Sequence, residues 1–394
     1  MSPLPLPFAW VLIGSTLSDA LVMGLLLAYP RSRASEAPGA PIGMARVVFV
    51  AVATAFFFVA KVPLLTASGV HLFGLMHLVY LDLVGVIPAV GLFLLAAARF
   101  ASARGYGPLI SPSVRALAMA SLGLLAVGFY ATFWEPFRLR CERASVPVAA
   151  ARDGRDAVRI GVLTDLQTNR VTDHERGAID RLMALRADLI LLPGDLFQGE
   201  DDEFERELPA LRQLLSRLSA PGGVYFVMGD VDQHPDRVPR MIEGTRVERL
   251  VNRVVRVGVG DRVFSIGGVE LDYASAGARG TVHQLDEAPG DGDIRILVAH
   301  RPDVALGLRP DSRIDLTVAG HTHGGQVVVP WFGPPMTLSG VPRAVAAGGL
   351  HDLRGNRIYV SRGVGCERGQ APRIRFLCPP EITLLTIGER PSPG

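Results

Sequence analysis

The apolar residues of this chain fall into two regimes that meet near residue 135. Ahead of that point lie four almost uncharged stretches, 8–29, 47–65, 70–98 and 116–134. Each approaches the ~20 residues that a helix needs to cross a bilayer. Beyond it the pattern changes to short apolar runs closed by polar loops: "VRIGVLTD", "ADLILLPGD", "GGVYFVMGD", "IRILVAH" and "IDLTVAGHTH". Continuous runs of this kind read as strands buried on both faces. Helix-like stretches at 176–187 and 202–219 separate the first of them, and alternating strands and helices indicate an α/β fold built as a two-sheet sandwich. The expected layout is a four-helix transmembrane domain at 1–134, a linker at 135–157, an α/β domain at 158–388 and a tail at 389–394.

The flanks of the apolar stretches refine this picture. Trp10, Tyr29, Tyr130 and Trp134 lie near span ends, where amphipathic aromatics are favoured. No basic segment precedes the first stretch and three more follow, so it reads as a span rather than a cleaved signal peptide. Arg31, Arg33 and Arg46 follow span one, and Arg99, Arg104 and Arg115 follow span three. The positive-inside rule puts both loops in the cytoplasm, which leaves the α/β domain outside it on an inner, multi-pass membrane protein. Arg138, Arg140 and Arg143 pull the other way. Asp19, Lys61, His71, His77 and Asp82 sit in or near the spans, where ionisable groups are costly. An Asp82–Lys61 pair with snorkelling of Lys61 and His71 is the structural expectation, and a lipid headgroup site is the alternative.

A net charge of +2 over 394 residues indicates no polyanion-binding tail, and no nucleic-acid partner is expected. Cys141, Cys366 and Cys378 contain no CxxC pair, which argues against a cysteine zinc site. Cys366 and Cys378 read as separate buried thiols, or as a disulfide if the domain faces an oxidising compartment.

The five strands share one feature: each delivers Asp or His at its C-terminal end, namely Asp165, Asp195, Asp230, His300, and His321 with His323. Ligands of open α/β sheets gather outside those ends. Singly, a Gly-Asp after a strand is a turn and a lone histidine is a hydrogen-bonded core residue. Five such features at the same structural position point to a metal site.

These residues resemble the motifs of the calcineurin-like metallophosphoesterases, and most closely those of a bacterial branch with membrane spans ahead of the catalytic domain. The family order of Asp-x-His, Gly-Asp, Gly-Asn-His-Asp, a lone His and Gly-His-x-His is matched by "TDLQT", "PGDLF", "MGDVDQH", "VAHRP" and "AGHTHGG". The closing "YVSRGVGCERGQAPRIRFLCPPEITLL" is similar as well. The resemblance implies two divalent ions, one held by Asp165, Gln167, Asp195 and His323, the other by Asp195, Asp230, His300 and His321. It implies hydrolysis of a phosphodiester, pyrophosphate or phospholipid-like substrate by attack of a metal-bound hydroxide. Gly324 and Gly325 would let backbone and substrate approach the ions.

Two positions depart from the family pattern. Gln167 stands where His is expected, and Val231 replaces the His that assists beside the phosphate, leaving His234 as a candidate acid. Gln167 and Asp230 make the site rich in oxygen, which favours Mn²⁺ or Fe over Zn²⁺, with Zn²⁺ still feasible. The expected partners are a phosphorylated small molecule or lipid and the membrane. A catalytically weakened metal- and phosphate-binding relative and a UDP-diacylglucosamine-type pyrophosphohydrolase are the alternatives.

Overall fold

In the computed structural model, which describes residues 8–28, 41–148, 156–234, 236–290 and 292–388, the chain divides into two units. The first comprises Met1–Thr132 with the short segment Arg368–Arg373, the second Phe133–Glu367 with Ile374–Gly394. Tyr29, Arg31, Arg33 and the tail lie outside the described residues.

Among the described residues, four helices are long and apolar enough to cross a membrane: Phe8–Ala28, Met44–Ala67, Leu72–Ala103 and Pro112–Phe137. Phe49, Val52, Phe56 and Val59 of the second are exposed, as on a helix that is apolar all round. The third run is broken by a π segment at Asp82–Val86. The fourth starts ahead of the expected 116 because Ser111 caps it, accepting from Val114 N at 3.3 Å, with Pro112 in the first turn. Hydropathy sees only the apolar middle of such a helix.

The ion pair inside this unit differs from the expected one. The helices Phe8–Ala28 and Met44–Ala67 pack on each other, so Lys61 Nζ meets Asp19 Oδ2 at 2.5 Å rather than Asp82. It also donates to Ser15 Oγ at 2.9 Å and Ser18 Oγ at 3.2 Å. His77 Nδ1 lies 3.2 Å from the carbonyl of Gln370, whose side chain accepts from His71 N at 2.7 Å.

In the second unit, the described strands form two six-stranded sheets. One is ordered β1 (Arg140–Val146), β12 (Glu381–Ile387), β2 (Val158–Val162), β3 (Leu189–Leu192), β4 (Val224–Phe226), β5 (Val247–Arg249). The other is ordered β10 (Gly349–Leu353), β11 (Asn356–Val360), β9 (Leu316–Ala319), β8 (Ile294–Val298), β7 (Arg262–Gly268), β6 (Arg253–Val259). β2 to β5 run parallel, as do β7, β8, β9 and β11. β1 corrects the linker reading of 135–157: Arg140–Val146 pairs with β12 over its full length. Its charged, alternating side chains hid an edge strand that has one exposed face.

The two-residue period of a strand sorts the core. Ile160 and Val162 of β2, Leu189 and Leu191 of β3, and Ile294, Ile296 and Val298 of β8 meet between the sheets. Ile190 and Leu192 turn the other way, against the helices Asp173–Ala184 and Asp201–Ser216. The first of these helices begins ahead of the expected 176 because Thr172 and Glu175 form a capping box, with Thr172 N donating to Glu175 Oε2 at 2.8 Å. Cys366 and Cys378 are buried, separate thiols.

Removing Asp19 breaks a buried pair and leaves Lys61 with the Asp82 carboxylate alone, so Asp19→Leu is expected to destabilise the chain by at most about 3–5 kcal/mol. The double variant with Lys61→Met should recover most of it. Thermal unfolding of the full chain in detergent reads both, and equal melting temperatures for wild type and Asp19→Leu would refute the pairing.

Candidate metal centre

The parallel strands of both sheets end at one place, and their following loops carry the chemistry. Asp165 follows β2, Asp195 follows β3, Asp230 follows β4, His300 follows β8, and His321 and His323 follow β9. His300 Nε2 lies 3.2 Å from Asp230 Oδ2 and 3.4 Å from Asp195 Oδ2. His321 Nδ1 lies 2.7 Å from Asp230 Oδ2, and His323 Nε2 lies 3.6 Å from Asp165 Oδ1. The rings of His300 and His321 meet edge to face at 5.1 Å. Two groups have ligand atoms close enough to share a cation, Asp230–His300–His321 and Asp165–Asp195–His300.

The loops hold these side chains in an unusual backbone state. Asp165, Gln167, Asp195, His321 and His323 all have positive φ, at 50°, 36°, 60°, 70° and 49°. Sparsely populated backbone states of this kind cost about 1–3 kcal/mol each and persist where surrounding bonds enforce them. Asp165 N donates to Gly194 O at 2.9 Å, and Gln167 N donates to Asp195 O at 2.9 Å. Asp232 is the main anchor. Its buried carboxylate accepts from Asp195 N at 2.6 Å, Gly229 N at 2.9 Å and Leu196 N at 3.0 Å, tying the β3 loop to the β4 loop.

Gly229 is required by this closeness, since a Cβ there would stand 2.1 Å from Asp195 Oδ1. Gly324 and Gly325 have a different reason from the expected one. Both have positive φ, and added Cβ atoms would strike Cys378 Sγ at 2.7 Å and Pro334 Cβ at 2.5 Å, so they serve the turn's packing.

The electrostatics fit a cation site. Burial, and then the Asp195 carboxylate, push Asp165 up to about 7. Burial opposes charging of His300, yet the Asp195, Asp230 and Asp165 carboxylates raise it to about 10. Asp230 is held well below the usual carboxylate range: burial opposes this, but the His300, His321 and Arg301 side chains beside it prevail. Burial and the Arg375 charge keep His323 neutral, as a ligand must be.

The imidazoles are also correctly oriented. Nδ1 of His300 sits 2.7 Å from Pro193 O and Nε2 of His321 sits 3.3 Å from Leu338 O, so a backbone carbonyl takes one ring N–H of each. The other nitrogen turns to the carboxylates. Among the described residues, Nε2 of His300 and of His323 has no hydrogen-bond partner although both rings are buried. Buried imidazole nitrogens directed at crowded carboxylates fit divalent cations.

Residues 158–325 match the family model described as calcineurin-like phosphoesterase. The chain is 28% identical over 279 residues to an uncharacterized metallophosphoesterase, YkuE, of Bacillus subtilis, a match spanning 68% of this chain and 93% of that one. It is 28% identical over 260 residues to the phosphodiesterase YaeI of Escherichia coli, covering 61% and 86%. Over 96 residues it is 38% identical to the UDP-2,3-diacylglucosamine pyrophosphatase LpxG of Chlamydia trachomatis, covering 23% and 28%.

Residues 158–325 carry a calcineurin-like phosphoesterase domain, and these relatives support that family.

The domain and these relatives support a metal-dependent phosphoric ester hydrolase. In this phosphoesterase domain the structure gathers Asp165, Asp195, Asp230, His300, His321 and His323, with Gln167 beside them. Gln167 reaches the cluster as a donor: its Nε2 bonds Asp195 Oδ2 at 2.9 Å and Glu367 Oε2 at 3.3 Å. His234 is exposed, with Nε2 3.7 Å from Asp201 Oδ1.

Three participants escaped the sequence reading. Asp232 has a signal, the second Asp of "GDVD", but no strand end of its own. Arg301 sits beside His300 in "AHRP" and pairs with Asp230 through Nη2. Glu367 arrives from "GCERGQ", 200 positions beyond Gln167, and is fixed by Gln198 Nε2 at 2.8 Å.

The raised Asp165 and His300 both hold protons more tightly than in the unfolded chain, and a cation must displace protons held so. Titrating Mn²⁺ into the metal-free full chain near pH 6 should therefore release protons. Calorimetry in buffers of unlike ionisation enthalpy measures this, and heats that do not depend on the buffer would contradict it.

Proposed function

We propose that this protein is a membrane-anchored phosphodiesterase whose two divalent cations are held by Asp165, Asp195 and His323 on one side and Asp195, Asp230, His300 and His321 on the other. The observation that carries the reading is the convergence of six ligand-type side chains from five strand ends in two sheets. Bound cations would polarise the phosphoryl group and supply an activated nucleophile. Everything else falls to the protein's own side chains.

Arg301 is placed to meet a phosphoryl oxygen. Its guanidinium reaches the Asp230 carboxylate and is partly exposed beside it, so it can hold substrate without leaving the cluster. Gln167 donates to Asp195 and keeps that carboxylate oriented. Val231 contributes its backbone N–H to Asp195 Oδ1 at 3.0 Å but has no proton to give to a leaving group. With His234 turned to Asp201, neither residue can protonate a departing alkoxide. The fitting substrate carries a leaving group that needs no acid.

The donor set of three carboxylates and three imidazoles suits Mn²⁺, Fe²⁺ or Zn²⁺. The likeness to YaeI, named a phosphodiesterase, supports the diester reading. The short match to LpxG, named a pyrophosphatase, supports a diphosphate as the second reading.

Hydrolysis should therefore depend steeply on the leaving group. With Mn²⁺, the purified full chain is expected to cleave bis(p-nitrophenyl) phosphate, while the methyl phenyl diester is slower by about 10²-fold or more. Asp195→Ala should abolish both reactions, and Val231→His should narrow the gap between them. Absence of hydrolysis with any of Mn²⁺, Fe²⁺ or Zn²⁺ would sink the enzymatic reading in favour of a phosphate-binding relative.

Four apolar helices, with Arg46, Arg99, Arg104 and Arg115 near their ends, support a catalytic domain outside the cytoplasm. A reporter fused after residue 394 should be active only as an alkaline phosphatase. Activity only as a cytoplasmic reporter would reverse the orientation.

A further inference from the structure

A cavity of about 510 Å³ opens beside the metal centre, inside the phosphoesterase domain. Its walls come from the C-terminal ends of the strands flanking the site: Met228 after β4, Val251 after β5, Leu271 to Tyr273 after β7, and Arg301 after β8. Arg301 joins the two, since the same guanidinium lines the cavity and pairs with Asp230. A phosphate held at the centre and touched by Arg301 would direct its organic group into this space.

The chemistry of the walls is uneven. Met228, Val251 and Leu271 give apolar surface, and Tyr273 adds an aromatic one. Two carboxylates line the cavity, Glu270 and Asp272. Glu270 accepts from Ser275 Oγ at 2.5 Å and Asn252 Nδ2 at 2.7 Å, bonds that keep it ionised. Asp272 is exposed, and its Oδ1 accepts from Ala274 N at 3.1 Å. The cavity's cation, Arg301, is already matched by Asp230. The space is therefore negative, and a second phosphate placed there would face like charges. Hydroxyl groups can donate to the carboxylates while ring carbons lie on Tyr273 and the apolar wall.

We infer that this cavity binds the organic group of the substrate and selects a hydroxyl-bearing, sugar-like phosphoester over one carrying a second phosphate. The inference rests on the phosphodiesterase reading for its phosphate position, and it disfavours the diphosphate alternative. No new bond chemistry is needed; the cavity acts through binding alone.

Two monoesters of one ring separate the cases: glucose 1-phosphate and glucose 1,6-bisphosphate. As competitive inhibitors of bis(p-nitrophenyl) phosphate hydrolysis by the full chain with Mn²⁺, the monophosphate should bind about tenfold tighter. Calorimetric titration of the two ligands should give the same order without turnover. Asp272→Arg should reverse the preference. Ala274→Trp, on an exposed part of the cavity wall, should weaken both ligands while the melting temperature of the full chain stays unchanged. Equal binding of both ligands in wild type, or no effect of either substitution, overturns the inference while the phosphodiesterase reading stands. Loss of hydrolysis with every cation refutes that reading instead, and in that case calorimetric binding alone decides the cavity.

Discussion

Like charges buried together are the constraint on which this catalytic domain is built. Asp165 and Asp195 are buried and Asp230 half-buried, all within reach of His300. Two unit charges at 4 Å repel by about 4 kcal/mol even at a protein-like effective dielectric. A fold can hold such a cluster only if positive charge or donors surround it. Here three imidazoles, the Arg301 guanidinium and backbone N–H groups do so, and His321 N donates to both oxygens of Asp165 at 3.1 and 3.2 Å. The same gathering of carboxylates and imidazoles suits the cluster to a cation.

The arrangement explains why the fold uses two sheets. Parallel strands end on one edge, and each ending is a loop whose N–H groups and side chains point beyond the sheet. β2, β3 and β4 bring the carboxylates, while β8 and β9, in the facing sheet, bring the imidazoles. Acidic and basic ligands thus come from opposite halves of the sandwich, and the apolar layer between the sheets fixes their separation. Ile160, Leu191, Ile296 and Val318 in that layer are fully buried. Asp232 then closes the carboxylate side by accepting three backbone N–H groups. It holds the loops together and makes no contact with the imidazoles among the bonds described.

The replacements at 167 and 231 have unequal consequences. Gln167 still bonds the shared carboxylate, now with Glu367 accepting from the same amide. The site keeps its closure there while exchanging a ligand nitrogen for a donor. Val231 keeps only its backbone role. Gln167 thus orients the Asp195 carboxylate, and the Val231 side chain has no proton to offer beside it.

What the sequence alone determined follows from local physical rules. Apolar length marks the membrane-competent helices, and apolar runs ending in Asp or His mark the ligand-bearing strands, because each signal is contained within about ten to twenty consecutive residues. The six converging side chains were legible for that reason. Only the tertiary structure could decide the rest. Lys61 meets Asp19 rather than Asp82 because helix packing, not sequence distance, chooses the partner. Arg140–Val146 is a strand because β12, some 240 positions later, offers it an edge. His234 turns outward, while Asp232, Arg301 and Glu367 enter the site, through bonds spanning tens to hundreds of residues. The positive φ of Asp165, Asp195, His321 and His323 belongs to the same class: a strained backbone state has no signature in the residue that adopts it and exists only because distant bonds enforce it.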